Sequence, residues 1–290
     1  MSSTALEGAA RLQKALNVLA KNTDKNLVHA SRLLSTWPGI ESLLCTTIFT
    51  ATLLHSQLTR LLSRQYTKLA AALTEKTLLP GETVIASTGP PITTLSQACA
   101  ATKALADATA EMWMFTRLWG LVHIYKWFRE TYDSPPWDPW IKTFTYAGIG
   151  AASVFQVIEN VAYLSVKGVI RGAFWEKEGK ALRWMAVANR FWMAQMVFEG
   201  LRLLRVRQLN WDEKIGAESQ DGDEKIVKVQ SEELKKKWTR EFYAICGWLP
   251  MTLHWSHIDE AGSPLTETWQ GVCGLVPSWI MLQDAWRASA

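Results

Sequence analysis

Four stretches without a single Asp, Glu, Lys or Arg do most to limit what this 290-residue chain can become. They lie at 43–59, 143–158, 242–258 and 268–283, and each is 16 or 17 residues long. A helix needs about 20 predominantly apolar residues to cross a bilayer core. All four fall just short of that, and each carries Thr, Ser, His or Gly among its apolar residues. They read as buried helices, short tilted spans or helices lying in a membrane interface, and periodicity alone does not separate the three. A further uncharged stretch, 83–102, contains Gly89-Pro90-Pro91 and many Thr and Ser, and reads as a loop entering a helix.

The alternation expected of strands is nearly absent, so the chain reads as all-α. Helices are expected at about 4–21, 38–75, 94–131, 139–170, 175–209, 231–258 and 265–287. Pro38 suits a first helical turn, and Ser134-Pro135-Pro136 with Pro139 marks a break. Pro250 and Pro277 fall inside helical patterns and should kink or interrupt them. Residues 211–230 are rich in acid and poor in apolar side chains, and read as a flexible acidic loop. The organisation expected is an amphipathic helical region at 1–93, then a helical, membrane-associated region at 94–290 containing that loop.

Composition removes several classes. Charged residues make up 20% and mean hydropathy is −0.02. A disordered chain would carry more charge and fewer aromatics. A conventional polytopic transporter would show long apolar blocks. The net charge of +4 is too small to point to nucleic acid. Cys45, Cys99, Cys246 and Cys273 follow no metal or disulfide spacing and read as free thiols in a reducing compartment. The first residues show no secretory signal pattern, and Ala288-Ser289-Ala290 is not the S-K-L address. Tryptophan is the anomaly, with 16 residues against 9 Phe and 6 Tyr. Many of these flank the uncharged stretches, as interfacial anchors do.

The best-defined periodic element is 54–73. Leu54, Leu58, Leu61, Leu62, Leu69 and Leu73 share one side of a helical wheel, and Arg60, Arg64 and Lys68 step by four along a flank. That pattern suits a helix whose leucines enter an anionic lipid surface while its cations meet the headgroups. The competing reading is an ordinary surface helix with its leucines in a core. A second basic, Trp-rich helix at 180–209 allows the same two readings.

Other candidates carry less. His254 and His257 could share a helical face, but the remaining histidines lack ligand spacing, and neither metal nor cofactor is expected. Gly148-Ile-Gly150 lacks the rest of a dinucleotide fingerprint, so Ala147, Gly148, Ala151 and Ala152 read as small residues permitting close helix packing. No nucleophile or phosphate-loop motif is present, and the chain is not expected to be an enzyme. Glu159-Asn160 ends an uncharged stretch, and an acid there needs a partner such as Arg117 or Lys126. A helix cap or an interface position is the alternative.

Three segments together resemble the peroxin-11 family of peroxisomal membrane proteins, and most of all its fungal peroxin-11C-type members. The first is Thr116-Arg117-Leu118-Trp119-Gly120-Leu121 with Ile124-Tyr125-Lys126-Trp127. The second is Glu159-Asn160-Val161-Ala162-Tyr163-Leu164 with Gly168. The third is Trp248-Leu249-Pro250-Met251-Thr252-Leu253-His254-Trp255-Ser256, with Gly271, Gly274 and Asp284-Ala285-Trp286. The resemblance covers most of 24–75 and 112–290. It implies a non-enzymatic protein of the peroxisomal membrane. An amphipathic helix would insert there and elongate the organelle before division, with self-association and contact with the division machinery. A metabolite pore is the second reading and a lipid-modifying enzyme the third. If only 143–158 and 268–283 span, both termini share one side, and the basic segment between them faces the other, against the usual positive-inside bias.

Overall fold

The computed structural model describes residues 21, 23–77, 93–177, 179–217, 224–258 and 263–289. Among them every regular element is helical, as the sequence predicts. A helical segment at 23–34 (α1) leads into α2 (Trp37–Thr77), α3 (Thr94–Thr116), α4 (Gly120–Asp133), α5 (Pro139–Val166), α6 (Lys180–Ala217), α7 (Glu224–Trp255) and α8 (Glu267–Ala288). The expected helix at 4–21 lies, except for residue 21, outside the described residues. The expected helix at 94–131 is two helices separated by a 3-10 turn at Arg117–Trp119. Backbone helix runs to Ala217 and resumes at Glu224, so within the proposed acidic loop only 218–223 lies outside the described residues.

Local chemistry fixes several helix ends. Thr36 Oγ1 accepts the Gly39 N–H at 3.2 Å, with Pro38 in the first turn of α2. Thr93 and Ser96 form a reciprocal capping box at the start of α3. Asp138 caps α5 by accepting the Ile141 N–H at 2.9 Å, beside Pro139. At the other end of α5, Gly168 takes a φ of 71°, and the Val169 N–H reaches the Leu164 carbonyl at 2.9 Å. That is the left-handed cap for which glycine is the cheapest residue.

Antiparallel neighbours arrange α3, α2, α8, α7, α6 and α5 as a ring, with α4 outside α5. Near Arg117 the end of α3 meets α5 and closes it. Phe49, Trp113, Phe155, Trp192, Trp248 and Trp255 fill the middle. Trp192 is the hub, its ring 5.3 Å from Phe155, 5.4 Å from Trp248 and 5.7 Å from Trp255. Such large rings bury much area with few rotatable bonds and pair favourably edge-on or offset.

Neither internal proline interrupts its helix; α7 runs through Pro250 and α8 through Pro277. Close approach instead marks α8. A Cβ on Gly271 would sit 2.9 Å from the Leu53 backbone, and one on Gly274 would overlap the Phe49 ring. Gly271→Val is therefore expected to cost about 3 kcal/mol, near the upper end for overpacking, because backbone cannot step aside. Thermal unfolding in detergent micelles measures it, and an unchanged melting temperature would show that α2 and α8 are not docked this way. On α5, a Cβ added at Gly148 would meet Trp127 at 3.6 Å and Phe198 at 3.9 Å, ordinary contact distances, so α4 and α6 flank this position without requiring glycine.

Three ion pairs staple one end of the bundle. Asp138 of α5 meets Arg205 of α6 at 2.9 Å, Arg202 of α6 meets Glu241 of α7 at 2.8 Å, and Arg240 of α7 meets Asp284 of α8. The Arg205 guanidinium holds the Asp138 carboxyl below the ordinary carboxylate value. A depressed carboxylate stabilises the fold above its unfolded pKa and loses that contribution as pH falls through the folded one. Asp138→Asn should thus lower the melting temperature at neutral pH and flatten its fall below about pH 4. A parallel pair of melting curves against pH decides this.

Candidate membrane-facing surface

The ring places three of the uncharged stretches side by side. Ser56 meets Thr268 at 2.6 Å and Thr46 meets the Ser278 carbonyl at 3.2 Å, which sets 43–59 of α2 alongside 268–283 of α8. Gly247 lies against Cys273 and Pro277, which brings 242–258 of α7 to the other side of α8. The result is one continuous face of α7, α8 and α2 without a formal charge, about 25 Å tall at 1.5 Å per residue. The fourth stretch, on α5, is separated from it by α6, whose Arg190 and Glu199 interrupt the pattern. α3 is likewise charged, with an exposed Lys103–Asp107 pair at 2.7 Å.

This face is apolar on its outside. Leu43, Leu54, Leu253, Val272 and Val276 are exposed on it, together with Trp269 at 58% and Trp279 at 53% exposure. Trp269 stands near one edge and Trp279 near the other, with Trp286 just beyond. Ten of the tryptophans fall into two sets. Trp113, Trp192, Trp248 and Trp255 belong to the packed interior, whereas Trp119, Trp137, Trp140, Trp269, Trp279 and Trp286 are exposed. Trp113, Trp248 and Trp255 are not interfacial anchors, because tertiary packing draws them inward. Taken one helix at a time, only α5 among the described residues is long and apolar enough to cross a bilayer.

Three of the leucines of 54–73 stay outside the core. Residues Phe49, Leu53 and Ser56 of α2 meet α8, and the leucine side faces the opposite way. Leu54 and Leu61 are 48% exposed and Leu69 is 46% exposed, while Leu58 and Leu62 are half-buried. Arg60, Arg64 and Lys68 are exposed beside them. The side chain of Leu73 lies outside the described residues. Beyond residue 59 the helix continues for another 18 residues, about 27 Å, without Gly or Pro.

The remaining motif positions form the support behind this surface. Arg117 Nη2 lies 2.9 Å from Glu159 Oε1, with side chains only 10% and 5% exposed. Arg117 was one of the two partners expected for Glu159; the other, Lys126, instead pairs with Glu130 on the α4 surface at 3.7 Å. The guanidinium carbon sits 4.6 Å from the Trp113 ring centre and 5.0 Å from those of Phe155 and Trp192, an aromatic box that suits a delocalised cation. Within the 3-10 turn the Arg117 carbonyl accepts the Gly120 N–H, and α5 adds side-chain donors to this carbonyl and to that of Leu118. Gln156 Nε2 donates to the Arg117 carbonyl and Asn160 Nδ2 to that of Leu118, each at 3.0 Å. Gln156 also bonds Asn160 Oδ1 at 2.8 Å. Gly120 leaves room for this, since a Cβ there would overlap the Gln156 amide. Gln156 lies inside an uncharged stretch and had no sequence signal beyond its spacing from Glu159 and Asn160.

The other positions have structural partners too. Tyr163 donates to Glu111 at 2.9 Å. The Trp255 carbonyl accepts from Asn189 at 3.3 Å, and Ser256 is buried at the end of α7. His254 accepts the Leu265 N–H at 3.4 Å, and His257 bonds the Leu253 carbonyl at 2.9 Å. Among the described residues no group of three His, Cys, Asp or Glu is arranged to hold a metal ion. Comparison with known proteins adds nothing to this geometry: no family model, no curated protein and no solved structure matches the chain.

Proposed function

We propose that this chain is a membrane-embedded helical protein that deforms the peroxisomal membrane, and that it is not an enzyme. The observation that carries the membrane part is the uncharged α7–α8–α2 face with exposed tryptophans at both edges. A soluble protein rarely leaves so large a contiguous apolar surface to water. In lipid that surface is satisfied, and tryptophans at its edges match the headgroup level. The peroxisomal location, self-association and contact with the division machinery rest on the resemblance of the three segments to the peroxin-11 family.

The shape of α2 supports a deforming role. Its outward leucine side runs from Leu43 to Leu69, about 39 Å at 1.5 Å per residue. That exceeds the roughly 30 Å hydrocarbon thickness, whereas the α7–α8–α2 face falls short of it. A mismatch of both signs on one body is relieved by tilting α2 and thinning the bilayer beside it. Tilt carries Leu61 and Leu69 into one leaflet and brings Arg60, Arg64 and Lys68 to anionic headgroups, each cation adding about 1 kcal/mol there. Area added to one leaflet favours curvature. The pore reading has no support inside the single bundle, because aromatic side chains fill its axis.

Alkaline carbonate extraction of membranes carrying the full chain tests the placement. Retention in the membrane pellet is expected, and release to the supernatant would overturn it. Deformation is tested separately by electron microscopy of anionic vesicles reconstituted with the protein, where tubules or constrictions are expected and unchanged spheres would refute remodelling.

A further inference from the structure

At one edge of the uncharged face, three helices bring together a nucleophile, a base and a carboxylate. Cys99 comes from α3, His55 from α2 and Glu267 from α8. His55 Nδ1 lies 3.4 Å from Cys99 Sγ and 3.0 Å from the Cys99 carbonyl oxygen. On the other side of the ring, Nε2 lies 3.7 Å from Glu267 Oε1 and 3.4 Å from Thr59 Oγ1. The Thr59 hydroxyl is in turn 3.2 Å from the Cys99 sulfur.

A free cysteine in a helical protein is most often a small core hydrophobe. Cys45 fits that description, being fully buried in the central cluster. Cys99 differs, because its sulfur has an imidazole on one side and a hydroxyl on the other. His55 Nδ1 faces the Cys99 sulfur and carbonyl, while Nε2 faces Glu267 and Thr59, so the ring bridges the thiol and the carboxylate. The Thr59 hydroxyl can donate to the sulfur that remains. Nucleophile, base and orienting acid in this order are the parts that thiol acyl transfer uses. The distances are loose, as such contacts commonly are before substrate binds.

We infer that Cys99 is an acyl-acceptor thiol, taking a long-chain acyl group from an acyl thioester to form a stable thioester. The choice of an acyl lipid rests on the membrane reading above. His55 lies within 43–59 and Glu267 immediately precedes 268–283, so a tail attached at Cys99 would begin at the edge of the apolar face, beside His55 and Thr59. In the step, the Cys99 proton passes to His55 as Sγ attacks the carbonyl carbon of the donor. The donor's own carbon–sulfur bond breaks, and the departing thiolate takes the proton from His55. One thioester is made and one is consumed, without oxidation or reduction. Cys99 is buried, at 7% exposure, which shields the product from water.

The full-length protein in detergent micelles, incubated with palmitoyl-coenzyme A and separately with iodoacetamide, tests this by peptide mass mapping. Palmitate at Cys99, removable by hydroxylamine, is expected. His55→Gln should slow both acylation and alkylation of Cys99 about tenfold or more, one decade of rate being a modest share of what a positioned base supplies. Glu267→Gln should slow them less. Cys45, a fully buried thiol, should stay unalkylated in both variants and reports that the fold is intact. If His55→Gln makes Cys45 reactive, the half-exposed Glu267 variant decides instead. Acylation of Cys246 ahead of Cys99, or no effect of either variant, would overturn the inference. Alkylation that depends on His55 without any acyl transfer overturns it as well. Micelles replace the bilayer in every arm, so none of these results bears on membrane placement, which carbonate extraction decides alone.

Discussion

Replacing Glu159 with alanine is expected to destabilise the bundle by about 3–5 kcal/mol, the usual cost of removing one partner of a buried ion pair. Arg117 would keep its charge inside the box of Trp113, Phe155 and Trp192 with no counter-ion. The aromatic faces offset part of that cost but cannot replace the carboxylate. Replacing both residues, Arg117→Met with Glu159→Leu, should recover most of the loss, because two charges no longer need to be taken from water. Thermal unfolding in micelles, followed by tryptophan emission, reads both, since four tryptophans stand in the same interior. If the double variant is as unstable as the single one, the carboxylate matters for a reason other than pairing Arg117.

The second large effect concerns binding rather than folding. Leu54, Leu61 and Leu69 are each nearly half exposed on the side of α2 that faces away from α8. Changing all three to Asp should leave the melting temperature in micelles nearly unchanged. It should also lower co-flotation of the protein with anionic vesicles and abolish their deformation. Inserting a leucine is worth about 1.5–3 kcal/mol. Losing three removes about 5 kcal/mol, roughly a thousandfold in partition of the inserting helix. The reverse outcome, a protein that unfolds yet binds, would mean that the leucines serve a core after all. Glutamate in place of Arg60, Arg64 and Lys68 should weaken binding in a salt-dependent way, which separates headgroup attraction from insertion.

Periodicity and punctuation carried the helical content a long way. Pro38, Asp138 with Pro139, and Gly168 all stand where helix ends need them. That Glu159 needs a partner was also legible, with Arg117 and Lys126 both on offer; packing chose Arg117. What periodicity missed was the break at Arg117–Trp119. Gly120 weakens helix there without demanding a break, and the turn is held where Gln156 and Asn160 donate to the Arg117 and Leu118 carbonyls. The Cys99–His55–Glu267 cluster was invisible for a related reason. Its members lie 44 residues apart and then farther still, on helices whose neighbours only packing decides.

The sequence by itself determined that this chain is helical, that four of its stretches avoid charge, and that its α2 leucines and cations occupy separate sides. Those are properties of local spacing, and a helix expresses them wherever it sits. Tertiary structure decided the rest. It chose which uncharged stretches became neighbours, turned the α2 leucines outward, and sorted the tryptophans into an interior set and an exposed set. A side chain's burial depends on what stands across from it, and in an antiparallel ring that partner is set by helix order and crossing. Spacing within one helix does not encode it.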